Sequence, residues 1–121
     1  MTPTGNYLAL FIGDKQGVKQ AAWNALSVTE RGMRTQQAIV AWQSWMTRHE
    51  KHIVSIGGPL GKTKRVDATG IEDNSNLIGA YTVVRASSHE DAAKIFIDHP
   101  HFTLFPGDSV EIMAVLSIPG A

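Results

Sequence analysis

The sequence predicts an α+β chain whose strands and helices follow the order β-α-β-β-α-β. Three observations carry that expectation. Four apolar runs, opening near residues 6, 53, 77 and 109, have the length of strands. Two segments, 27–30 and 87–90, set a glutamate three residues after a serine, the reciprocal cap that satisfies orphan N–H groups at a helix start. An apolar stripe of helical period runs through the segment that follows the first of these caps.

The first run, 6–12, puts Leu8, Leu10 and Ile12 on one side and Tyr7, Ala9 and Phe11 on the other. Both sides are apolar, so both are expected to be covered. Residues 15–26 are mixed: Gly17 argues against one unbroken helix, and 18–26 allow a turn or two anchored by Trp23 and Leu26. From Ser27 a long helix is expected to run to about 49–52. Ala38, Trp42, Trp45, His49 and His52 lie on its apolar stripe, flanked by Ile39, Met46 and Ile53. A strand follows at 53–56.

Residues 57–63 read Gly-Gly-Pro-Leu-Gly-Lys-Thr. The last three match the end of a phosphate-binding loop, but that motif needs a glycine where Ile56 stands and a helix directly after the threonine. Residues 64–70 have no helical period, so the stretch reads as the bend out of the second strand. Residues 62–76 are expected to form a loop or a projecting hairpin, pinned by Val66 and Ile71. The third strand is 77–86. A short second helix shows Ala92, Ala93, Ile95 and Phe96 on its apolar face and stops at Asp98-His99-Pro100. A last strand spans 109–118, its inner face marked by Val110, Ile112, Ala114, Leu116 and Ile118.

This order is the ferredoxin-like split-βαβ plan, a four-stranded antiparallel sheet with two helices on one face. The second face is then left apolar by Tyr7, Ala9, Phe11, Tyr81, Val83, Met113 and Val115. A patch of that size predicts a symmetric homodimer packed sheet to sheet.

The 121 residues form a single expected domain with a core at 6–118. Eleven basic residues balance eleven acidic ones, which leaves no field for nucleic acid. The absence of cysteine excludes disulfides, thiol catalysis and cysteine-held metal. No apolar run approaches the ~20 residues that span a bilayer, and no export-type segment opens the chain. A cytoplasmic protein without membrane contact is expected.

The chain resembles the YCII-related family, within the dimeric α/β-barrel group, from Tyr7 to Ile118. The likeness rests on the order and spacing of several pieces. They are Trp23-Asn24-Ala25-Leu26-Ser27 before the long helix, Gly57-Gly58-Pro59-Leu60 after the second strand, and Gly79-Ala80-Tyr81 at the third. Ser88-His89-Glu90-Asp91-Ala92, His99-Pro100 and Ser109-Val110-Glu111-Ile112 complete it. The resemblance implies a ferredoxin-like subunit that pairs through its sheet. One branch of the family carries a histidine on its first helix and an aspartate shortly after the glycine-proline turn. Here Ala41 stands near the histidine position, and Asp67 is the nearest aspartate after the turn.

Candidate site residues fall into two sets. Trp42, Trp45 and His49 share one helix side and are expected to line a pocket for a small organic molecule between the long helix and the sheet. His49 and His52 equally suit a helix C-terminus, where a cation complements the dipole. His99 and His101 flank Pro100 and, with Asp67, are expected at the pocket mouth for acid–base work without a cofactor or a metal. The alternative is a polar helix stop in a non-catalytic homodimeric module. Lys62, Lys64 and Arg65 form a small cationic cluster, either an anion site or a solvated loop.

Overall fold

The structure is a computed structural model, and it describes residues 4–120. Its elements are β1 (Gly5–Ile12), α1 (Val18–Ala25), α2 (Val28–Arg48), a 3₁₀ turn (Glu50–His52), β2 (Ile53–Pro59), β3 (Thr63–Asp67), β4 (Gly70–Asn74), β5 (Ile78–Ala86), α3 (His89–Lys94), α4 (Pro100–Thr103) and β6 (Ser109–Ala114). The molecule is α+β. Four strands form one antiparallel sheet in the order β2-β5-β1-β6, and β3 and β4 form a separate two-stranded hairpin.

Four helices stand where the sequence suggests two. At the first, Leu26 and Ser27 take extended backbone and split α1 from α2. The Ser27 cap forms as expected: Glu30 N–H donates to Ser27 Oγ at 3.1 Å, and Ser27 N–H to Glu30 Oε1 at 3.4 Å. Arg31 then donates to the carbonyls of Leu26 and Asn24, at 2.6 and 3.1 Å, which fastens α1 to α2. At the second, Pro100 does not merely end a helix. It opens α4 as its first residue, where a missing N–H costs nothing. The cap of α3 is displaced by one residue from expectation: Ser88 Oγ accepts from Asp91 N–H, while Ser87 Oγ donates to the Asp91 carboxylate.

Register decides which side of the sheet is buried. Residues directly opposite in an antiparallel pair share a face. Tyr7, Ala9 and Phe11 oppose Val84, Thr82 and Ala80 on β5, and Ala114, Ile112 and Val110 on β6. This set faces α2 and α3. Ala9, Phe11, Val84 and Ala86 pack there with Trp45, Ala92, Ile95 and Phe96, and Tyr7, Trp42, Met46 and Ile53 close round them. The other face carries Leu8 and Leu10 opposite Val83 and Tyr81, with Met113 opposite Leu8. The sequence-based grouping of Tyr7, Ala9 and Phe11 with Tyr81, Val83 and Met113 is therefore corrected. Alternation divides each strand into two sets, but only pairing says which sets lie together.

Three further expectations change. Ala93 is exposed, whereas Ala92, Ile95 and Phe96 are buried. β6 ends at Ala114, and Leu116 and Ile118 are exposed beyond it. The segment after β2 is a hairpin, but Val66 and Ile71 do not pin it to the body. They face each other across its two strands, each 72% exposed. The hairpin is held by ladder bonds and by surface ion pairs, Lys64 with Asp73 and Arg65 with Glu72 and Asp67. Such pairs add little stability.

Candidate functional site

The expected site residues divide between the core and the surface. His99 is fully buried. Its ring centroid lies 4.4 Å from that of Trp42, 4.6 Å from Trp45 and 5.1 Å from Phe11. It also caps α4, because Nδ1 accepts the His101 N–H at 3.0 Å. An accepting Nδ1 assigns the proton of the neutral ring to Nε2. Nε2 has no hydrogen-bond partner among the described residues. The near-perpendicular stacking on Trp42 and Trp45 suits an N–H against an indole face, a weak interaction. Burial, reinforced by the neighbouring His101 and His49, pulls the His99 pKa down to about 3.

Trp45 is sealed in the same cluster, and its indole N–H donates to Ile95 O at 2.8 Å, just past the end of α3. Trp42 stacks on Phe11 and Phe105 as well as His99. His49 caps the C-terminus of α2, half-buried beside Trp45, with its pKa lowered by burial and then by Arg48 and His52. Trp42, Trp45, His49 and His99 thus come together, but as packed aromatic core where an open pocket between helix and sheet was expected.

Asp67 lies apart from this cluster. It closes the β3–β4 turn, where Thr69 donates to its carboxylate through N–H at 2.8 Å and Oγ1 at 2.6 Å. These bonds, the hydroxyl's first, hold its carboxyl below the usual carboxylate range. It stands four residues beyond Thr63 along the hairpin, about 13 Å at strand rise.

His101 has a different setting. It is half-buried, and its Nε2 lies 2.8 Å from Ile12 O, the last carbonyl of β1. With Nε2 as donor, Nδ1 carries the lone pair. Burial lowers its pKa most, and the Ile12 and Ser109 carbonyls act against that. Gly107 packs directly on the ring: a Cβ there would meet it at 2.3 Å and His101 O at 2.4 Å. Two other histidines tie elements together in the same way, His52 to Arg85 O on β5 and His89 to Ile112 O on β6.

His101 also borders a cleft of about 890 Å³. The cleft lies beyond the ends of β1 and β2 and the start of β5. Leu60 to Lys64 and Asp73 to Gly79 form one wall, the base of the hairpin. Gly13, Lys15 and Gln20 form a second, and Phe105, Pro106 and Gly107 complete it beside His101. Trp42, Trp45, His49, His99 and Asp67 do not line it. Of the cationic cluster, Lys62 and Lys64 reach the cleft and Arg65 does not. Lys15, Gln20 and Asn76 escaped the sequence reading because they belong to segments without a motif. The one local signal was the Lys62–Lys64 pair.

Among the described residues no three histidine or carboxylate side chains gather into a metal set. No described helix is long and apolar enough to cross a membrane.

Fold and cleft together define a class: an α+β chain with a largely apolar open sheet face and a cleft of mixed polar and apolar lining at one sheet end. Among solved structures it is similar to 5-chloro-2-hydroxyhydroquinone dehydrochlorinase from Burkholderia phenoliruptrix AC1100, in complex with 2,5-dihydroxybenzoquinone. The two share 14% sequence identity at a TM-score of 0.50, over 89% of this chain and 90% of that one. The likeness is one of fold. No protein-family model matches the chain. No curated protein matches it in sequence.

Proposed function

We propose that the chain is a YCII-like, ferredoxin-like subunit that pairs through its open sheet face and binds a small organic molecule in the cleft beside His101. The observation that carries the reading is the cleft itself. At about 890 Å³ it falls in the range of small-molecule sites, roughly 300–1,000 Å³. It combines apolar walls, Leu60, Leu77 and Phe105, with a few polar groups. The similar dehydrochlorinase structure holds a small ring compound, which agrees with such a use of the fold.

Any acid–base role, cofactor-free, falls to His101. It is the one expected site histidine that borders the cleft. His99 serves as its support, through the His101 N–H. Asp67 takes part only if the hairpin folds inward. A small-molecule library followed by amide NMR tests the site. Shifts are expected at Leu60, Lys62, Asn76, Leu77 and His101. Hits that move only amides elsewhere remove the cleft from consideration.

Pairing is proposed from the open face. Leu8, Leu10, Tyr81 and Val83 are half-buried, and Met113 is 38% exposed. They lie on one face of β1, β5 and β6 as a largely apolar surface, with Glu111 of β6 opposite Leu10 at its edge. A second copy packed face to face would cover it. The chain is expected to sediment as a dimer at micromolar concentration and Leu10→Asp as a folded monomer. A monomeric wild type refutes the pairing.

A second reading is a non-catalytic homodimeric module. The sealing of His99 in the core favours it.

A further inference from the structure

The cleft has an uneven charge. Three lysines line it, Lys15, Lys62 and Lys64, against a single carboxylate, Asp73. Asp73 is already taken, since it forms the ion pair with Lys64. Lys15 and Lys62 are exposed and form no ion pair among the described residues. Two acids near this end of the sheet are also engaged. The Asp14 carboxylate accepts the Gln16 N–H at 2.9 Å, and the Asp108 carboxylate accepts the Asp14 N–H at 2.7 Å. Neither of them lines the cleft. Lys19, by contrast, is spent on the Phe102 carbonyl and takes no part.

The chain as a whole is neutral, so this excess is a property of the cleft and not of the protein. The remaining lining is mixed. Gln20 and Asn76 supply amide groups, and Leu60, Leu77 and Phe105 supply apolar surface. An inorganic anion would leave that apolar surface unused. A neutral apolar molecule would leave two cations without a partner. The lining matches a ligand with both parts.

Resting on the assignment of the cleft as the binding site, we infer that its ligand is a small organic anion: an apolar, ring-sized body bearing one carboxylate or equivalent oxyanion. Lys15 and Lys62 hold the charge, one from the β1–α1 loop and one from the bend after β2. Leu60 and Leu77 hold the body. The two lysines approach from separate loops, so the ligand also links the hairpin base to the rest of the chain.

Benzoate and benzamide are matched probes, alike in shape and differing in charge. An amide NMR titration of the full chain with each reads both affinity and location. Benzoate is expected to shift the cleft amides and to bind roughly two- to fivefold more tightly than benzamide, the worth of about one exposed ion pair. Rising salt is expected to narrow the gap. In a Lys15→Ala/Lys62→Ala double variant the preference should vanish while benzamide binding stays as it was. Neither side chain makes a hydrogen bond among the described residues, so an unchanged melting curve is expected and checks the fold. If benzamide binds in the cleft as well as benzoate does, or the double variant keeps the preference, the cleft stands and the anion assignment falls. If neither probe moves the cleft amides, the assignment of the cleft fails and takes this inference with it.

Discussion

Acidification is expected to destabilise this protein well above the pH at which its carboxylates titrate. The cause is His99. In the unfolded chain it takes up a proton near its ordinary value of 6.5, but in the fold it stays neutral down to about 3. Between those values the unfolded state binds more protons, so stability rises with pH and is lost as pH falls. The loss approaches ~1.4 kcal/mol per pH unit for one proton, and on the order of 4–5 kcal/mol across the window. His49 and His101, also lowered, act in the same direction. Asp67 and Asp91 have lowered values too, but their stabilisation is lost only at lower pH, as their folded carboxylates protonate.

Urea unfolding at a series of pH values between about 6.5 and 4.5 measures this slope. His99→Phe provides the control. It removes the titrating group but orphans the His101 N–H, which costs about 1–3 kcal/mol at neutral pH. The variant is therefore expected to be less stable than wild type at pH 7 and to show a much flatter acid slope. A wild-type slope near zero above pH 5, or an equal slope in His99→Phe, overturns this account.

Two adjacent glycines are expected to respond in opposite ways to the same substitution. Gly57 lies in β2 with φ of 65°, and a Cβ there would sit 2.0 Å from Tyr81 O on the neighbouring strand. That contact is with the backbone of β5, the strand next to β2 at the sheet edge, so no side chain can swing aside. The conformation is also one that L side chains rarely adopt. Gly57→Ala is expected to cost at least ~3 kcal/mol, from combined strain and clash. At Gly58 a Cβ would meet nothing within 4 Å, and Gly58→Ala is expected to change stability by less than about 1 kcal/mol. Thermal melts of the pair decide the matter, and equal losses would remove the register of β2 against Tyr81 as the reason for Gly57. The consequence reaches the cleft, because β2 leads directly into the Leu60–Lys62 wall.

Local signals in the sequence were a sound guide to local structure. The Ser27–Glu30 box locates the start of α2 to the residue, since its two bonds are made between groups three positions apart. The strand expected at 53–56 instead runs on to Pro59, because Gly58 and Pro59 pair with Tyr81 and Ala80 and the chain leaves the sheet only after them, while Ile56 in the first-glycine position is enough to reject a phosphate loop. The stripe of buried Ala38 and Trp45 with half-buried Trp42 is legible from helical period alone, but Ile39, expected to flank it, is 42% exposed. Where two local signals competed, the reading was less exact. Ser87 and Ser88 both offer a cap, and the geometry chose Ser88 with Asp91 at its third position. Pro100 was read as a stop, though it equally suits the start of a helix.

The site was less legible than the fold, for a physical reason. His99 and His101 are two residues apart and chemically identical in the sequence. Packing separates them. The α4 cap turns His99 into the Trp42–Trp45 cluster, while His101 reaches back to Ile12 O and the cleft. Lys15 and Lys62 lie 47 positions apart, and only the antiparallel order β2-β5-β1-β6 brings their loops to one end of the sheet. The sequence by itself determined where the long helix begins, which residues are apolar, and that no cysteine chemistry operates. Only the tertiary structure decided which strand faces share the core, which histidine is sealed and which charges meet, because register and chain crossing are long-range relations that no local pattern encodes.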